Sequence, residues 1–113
     1  MPLEMNEYQR ISLTTAIYDD KILYPALKIA GEAGECSEKV GKWLRDKGGV
    51  ANLPNISDED KAELAKEIGD VLWYCATLAH DIGYTLDDVA RMNIGKLAKR
   101  KEEGKLSGSG DNR

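Results

Sequence analysis

The chain has 113 residues, of which 32% are charged and 42% hydrophobic, and its net charge is −4. That length allows one domain with a modest core, and that mix belongs to a folded chain rather than a disordered one. The acidic balance argues against nucleic-acid binding driven by overall charge. No apolar run nears the roughly 20 residues of a bilayer span, and no basic-then-apolar leader opens the N-terminus. Cys36 and Cys75 fall inside helical patterns and read as reduced, buried thiols. The expected location is the cytoplasm.

Residues from Asn6 to about Asp19 predict a first helix. Tyr8, Ile11, Thr15 and Tyr18 share one face, and Leu13, Ala16 and Ile17 give a second. Pro25 suits a first helical position and opens a second helix running to about Asp46. At about 100° per residue, Leu23, Leu27, Ala30, Ala33, Gly34, Ser37, Val40, Gly41 and Leu44 form an arc of mostly small residues. Glu32 and Glu35 lie off that arc with Lys28, Lys39, Lys42 and Trp43. Gly31 and Gly34 cost roughly 1 kcal/mol each against Ala in a helix, which implies close packing or room for a ligand. Lys47-Gly48-Gly49 ends this helix, and the segment through Ser57 reads as a loop.

Ser57-Asp58-Glu59-Asp60 fits a capping box opening a third helix that runs to about Ile82. Its stripe is the clearest periodic signal in the chain: Leu64, Ile68, Val71, Leu72, Cys75, Leu78, Ala79 and Ile82. From Val71 to Ala79 it is apolar nearly all round, Thr77 apart. In so small a protein such a helix needs neighbours on several sides, so the expectation is a homo-oligomer. Gly83 closes the helix. Thr85-Leu86-Asp87-Asp88 caps a fourth, running to about Glu103, with a stripe of Leu86, Val89, Ala90 and Leu97. The fold class is therefore all-α, a four-helix bundle over residues 1–103, followed by a short polar tail at 104–113.

Two motifs carry chemistry. Glu32-x-x-Glu35 and Glu67-x-x-Asp70 each place two carboxylates one helical turn apart. Two such helices side by side would gather four carboxylates, whose repulsion calls for a cation. Oxygen ligands without His or Cys suit Mg²⁺, with Mn²⁺ as a substitute. A single Glu-x-x-Glu usually decorates a solvated face; here Glu67 and Asp70 border the core stripe and helical glycines flank the first pair. The second motif is Asn93, Lys96 and Arg100, with Asn93 inside the fourth helix's stripe. It reads either as a satisfied Asn beside cations favoured near a helix C-terminus, or as an amide and two cations aimed at phosphate oxygens. Trp43 lies about 20° around the helix from Glu32 and is the better base-stacking candidate. Trp73 reads as packing, and His80 as structural or surface. Glu38 is a further acid on the second helix, near the site or simply solvated.

These residues resemble a known family. Glu32-x-x-Glu35 followed by Glu67-x-x-Asp70 is similar to the signature of the MazG-type all-α nucleoside triphosphate pyrophosphohydrolases. Ile68-Gly69-Asp70-Val71-Leu72-Trp73-Tyr74 resembles that family's third-helix core, and Asn93-Ile94-Gly95-Lys96-Leu97-Ala98-Lys99-Arg100 its fourth-helix pattern. The resemblance implies a four-helix core assembled as a homodimer or homotetramer. It implies hydrolysis of nucleoside triphosphates to monophosphate and pyrophosphate, with Glu32, Glu35, Glu67 and Asp70 binding Mg²⁺ and Asn93, Lys96 and Arg100 contacting substrate. Glu35 or Glu38 would take a proton from water. Two other readings stand beside it. A di-iron bundle needs Glu-x-x-His on two helices, and Asp70 stands where a His belongs. A non-catalytic helical dimer binding nucleotides or a protein partner would keep the apolar third helix but have no need of four converging acids.

Overall fold

In the computed structural model, which describes residues 2–108, four helices follow one another: α1 (Met5–Leu13), α2 (Leu23–Asp46), α3 (Asp58–Asp81) and α4 (Leu86–Glu102). A short 3₁₀ turn, Val50–Asn55, fills part of the link between α2 and α3. No strand forms among the described residues. The long α3 is the hub. α2 packs along it, and α1 and α4 each pack on it and on one another, while α2 meets neither α1 nor α4. No described helix is long and apolar enough to cross a membrane.

The first helix is shorter than its periodicity implies. Thr14 Oγ1 donates to the Ile11 carbonyl at 2.6 Å and Thr15 Oγ1 to that of Ser12 at 2.9 Å, and such local side-chain bonds compete with helix propagation. The chain then turns back through residues 14–22, tied to α3 by three hydrogen bonds. Trp73 Nε1 donates to Thr15 Oγ1 at 3.0 Å, while Asp81 Oδ2 accepts from the Tyr18 hydroxyl at 2.9 Å and from the Ile22 N–H at 3.0 Å. Ile22 has φ +68°, a strained setting for a β-branched residue, and the Asp81 bond helps hold it there. Tyr18 stacks on Tyr24 (centroids 5.3 Å apart) and meets Trp73 edge-on (6.3 Å).

α2 begins two residues before Pro25, which is buried in the third helical position; a missing N–H there forfeits no intrahelical bond. At the start of α3, Ser57 Oγ accepts from the Asp60 N–H at 3.1 Å. The Asp60 carboxylate is held by Lys47, so this is half of the expected box. α4 has the whole box: the Asp88 N–H donates to Thr85 Oγ1 (3.0 Å) and the Thr85 N–H to Asp88 Oδ2 (3.2 Å). Gly83 supplies the left-handed step, φ +90°, that lets α4 leave α3. Gly104 opens the polar tail, of which residues 109–113 lie outside the described residues.

The buried set departs from the predicted stripe. Ala76 and Thr77 are wholly enclosed, and Ala79, Trp43, Leu86, Gln9 and Ser12 are buried with them. Within the stripe, however, Ile68 is 56%, Leu72 40% and Ile82 52% exposed. The reason is geometric: α1 and α2 take different sides of α3, and none of the described residues covers the strip they leave. The accessible surface is 8189 Å², where a globular chain of this length would show about 6,200 Å². The radius of gyration, 17.0 Å, likewise exceeds the roughly 13 Å of a compact domain of this size.

The Tyr18 hydroxyl is pushed above the ordinary value of 10.0, first by burial and then by its bond to Asp81 and that residue's charge, against a lowering bond from Thr77. A raised folded-state value means that the associated stability is complete below about pH 10 and is lost as pH climbs through the folded value. Tyr18→Phe is expected to lose about 1.5 kcal/mol at neutral pH, the worth of a hydrogen bond to a charged group. It should also lose less further stability above pH 10 than the parent, as read by urea unfolding across that range.

Candidate functional site

α2 and α3 lie side by side over much of their length, and their acids meet across the contact. One carboxylate oxygen each from Glu32, Glu67 and Asp70 lies within 4.8 Å of the others. Glu32 and Glu67 are half-buried and Asp70 is exposed. Ligand oxygens around an octahedral Mg²⁺ sit roughly 3.0 Å apart when adjacent and 4.2 Å apart when opposite, given bonds of about 2.1 Å. Three oxygens within 4.8 Å of one another would draw together by up to about 1.8 Å to share one ion, and an all-carboxylate donor set suits a hard divalent cation. Among the described residues, no other group of three acids, histidines or cysteines converges in this way.

A cation already leans on this group. Lys39 Nζ stands 3.7 Å from Glu67 Oε1, too far for a hydrogen bond but close enough to relieve charge. The sequence held a signal for it: Lys39 follows Glu32 by seven residues, about 20° away around the helix. The other border is aromatic. Tyr24 and Tyr74 lie with ring centroids 6.1 Å apart, and their hydroxyls interact. Burial pushes the Tyr74 hydroxyl up to about 12, with the bond and charge of Tyr24 and the charges of Glu32 and Asp70 adding to the rise. Tyr74 thus stays protonated at neutral pH beside the acids, and its position between Glu67 and Asp70 around α3 was legible from spacing alone.

The fourth expected metal ligand is not in the group. Three residues along a helix turn about 300°, and on α2 that step leaves Glu35 exposed and apart from the three-acid cluster. Glu38 is exposed too and pairs with Lys42 Nζ at 3.3 Å on its own helix. Trp43 is only 8% exposed and belongs to the core, which leaves little of its ring for a base. A Cβ at Gly31 or Gly34 would meet nothing within 4 Å, so neither glycine is required by packing within the chain. Cys36 and Cys75 are free thiols, half-buried, and burial raises the Cys75 thiol. His80 is exposed, away from the acids.

The α4 residues divide. Asn93 and Lys96 line a cavity of about 720 Å³ with Ile82, Tyr84, Val89 and Met92. Arg100, one turn beyond Lys96, is 5% exposed. None of the three clustered acids lines that cavity.

The chain was compared with known proteins. The model of the MazG nucleotide pyrophosphohydrolase domain matches residues 24–104. The Gene 37 protein of Mycobacterium phage L5 is 40% identical over 119 residues, spanning 98% of this chain and 100% of that protein. The uncharacterized protein YvdC of Bacillus subtilis (strain 168) is 35% identical over 71 residues, 63% of this chain and 67% of its own length. No solved structure matches. The family match takes in all three clustered acids and the cavity-lining face of α4, and the chain belongs to the MazG nucleotide pyrophosphohydrolase family.

Proposed function

We propose that this protein is a Mg²⁺-dependent nucleoside triphosphate pyrophosphohydrolase, acting as a homo-oligomer on the nucleotide pool of the cytoplasm. The observation that carries the reading is the convergence of Glu32, Glu67 and Asp70 within a MazG domain. These three residues would hold the ion, and Mn²⁺ is the natural substitute. When bound, the ion supplies positive charge against the triphosphate and makes water more acidic.

The rest falls to the chain's own residues. Lys96 and Asn93 are assigned to phosphate oxygens, where a cation and an amide can hold the charge that builds on the leaving pyrophosphate. Arg100 is assigned to the same side. Glu35 is assigned as the base that takes the proton of the attacking water. It is one turn from Glu32, whereas Glu38 is already paired with Lys42. Water's oxygen bonds to the α-phosphorus, the bond from that phosphorus to the bridging oxygen breaks, and the electron pair leaves with pyrophosphate. Tyr74, neutral at working pH, can donate its hydroxyl to the substrate or to a carboxylate.

The second copy is inferred from the uncovered surface. The excess over a compact chain is roughly 2,000 Å², more than the roughly 800 Å² that each partner gives to a standard interface, and Ile68 and Leu72 are among the apolar residues left open. In one chain, moreover, α4 does not pack on α2, so Lys96 and Glu32 stand on helices that do not meet; a partner's α4 is a natural source for the missing contact. Sedimentation should give a dimer or tetramer. Ile68→Asp should dissociate or unfold it, whereas on a free monomer surface the change would stay within about 0.5 kcal/mol.

Product analysis tests the reaction. With Mg²⁺ and the common ribo- and deoxyribonucleoside triphosphates, the products should be pyrophosphate and the monophosphate, and chelation should stop turnover. Glu67→Gln and Glu35→Gln should each lower kcat about a hundredfold or more, the range for general-base and electrostatic catalysis. Orthophosphate as product would refute the reading. So would tight nucleotide binding without turnover, which would favour a non-catalytic binding dimer.

A further inference from the structure

α1 (Met5–Leu13) precedes the region matched by the family and carries none of the acids or cations above. Its polar side chains nevertheless share the work of starting α4 with the Thr85–Asp88 box. Gln9 is 6% exposed, and its amide bonds entirely outside its own helix. Nε2 donates to the Ala76 carbonyl of α3 at 3.0 Å and to the Tyr84 carbonyl in the α3–α4 turn at 3.1 Å. Oε1 accepts from the Leu86 N–H, the first amide of α4, at 3.0 Å. One turn earlier, Asn6 Oδ1 accepts from the Asp87 N–H at 2.9 Å. The first amides of a helix have no partner inside it; here the first and second are satisfied by α1 and the third by Thr85.

We propose that α1 is an orienting clamp for α4, with Gln9 as the positioning residue that fixes the direction in which α4 leaves α3. The inference rests on the reading of α4 as the phosphate-binding helix. Only an amide serves all three bonds, because it donates and accepts at once; an ionised carboxylate only accepts, and a thioether does neither usefully. The leverage is large. Lys96 lies ten residues beyond Leu86, about 15 Å along the axis, so a tilt of about 10° moves it by roughly 2.5 Å. Displacements near 1 Å already disrupt productive alignment.

The test uses the full chain carrying Gln9→Met, which keeps length and apolar contact but removes all three bonds. Hydrogen exchange at the Leu86 and Asp87 amides should accelerate. kcat/KM for the preferred triphosphate should fall roughly fivefold to tenfold, as for one or two lost buried hydrogen bonds, with Mn²⁺ affinity unchanged. Asn6→Ala, at an exposed position, should shift exchange and kcat/KM in the same direction by less, and it decides the matter should Gln9→Met fail to fold. Unchanged exchange overturns the clamp. So does accelerated exchange with unchanged kcat/KM, or a fall in kcat/KM matched by an equal loss of metal affinity. A parent protein without turnover would sink the pyrophosphohydrolase reading, and the clamp would then stand or fall on exchange alone.

Discussion

The packing of α2 along α3 is the contact on which the molecule depends. It builds the largest helix pair and, by the same act, drives three carboxylates together. At 4.8 Å each ionised pair repels by about 1 kcal/mol in water-like surroundings and about 3.5 kcal/mol at an effective dielectric near 20. The apolar contact between the helices has to hold against that, and Lys39 on α2 offers its ammonium to Glu67 across the pairing. A divalent cation at this point would remove that repulsion. Charge repulsion thus links the packing of the core to the chemistry of the site.

The other constraint is coverage. The wholly enclosed residues Ala76 and Thr77 occupy one portion of the α3 surface, while Ile68 and Leu72, and Ile82 just past its end, remain open. α4 swings out from the hub by way of Gly83 and is anchored at its first turn by Gln9 and Asn6. The aromatic cluster of Tyr18, Tyr24, Trp73 and Tyr74 closes the opposite side, fastening the 14–22 segment to α3 through Asp81. The acids therefore sit between an aromatic border and an exposed apolar one.

Much of this was readable from spacing. The extents of α2, α3 and α4, the caps at Ser57 and Thr85, and the pairing of Glu32 with Glu67 and Asp70 all follow from local rules or from helical period. What spacing missed was tertiary. The stop of α1 at Leu13 depends on threonine hydroxyls that turn back on the backbone. The displacement of Glu35 from the cluster depends on which side of α2 faces α3, and periodicity gives that only to within a turn. Trp43 shares an angle with Glu32 but lies near the far end of the helix, where the core takes it. Gln9, one of several polar residues in a short helix, gave no signal at all, because its partners lie 67 to 77 residues away.

Glu32, Glu67 and Asp70 are proposed as one cation site spanning α2 and α3. Calorimetric titration of the whole protein with Mn²⁺, in parallel with Glu32→Gln and Glu67→Gln, addresses it most directly because it needs no substrate. The parent should show saturable binding, lost or greatly weakened in both variants although their altered residues come from different helices. Binding that persists undiminished in both, or no saturable binding in the parent, would contradict the proposal.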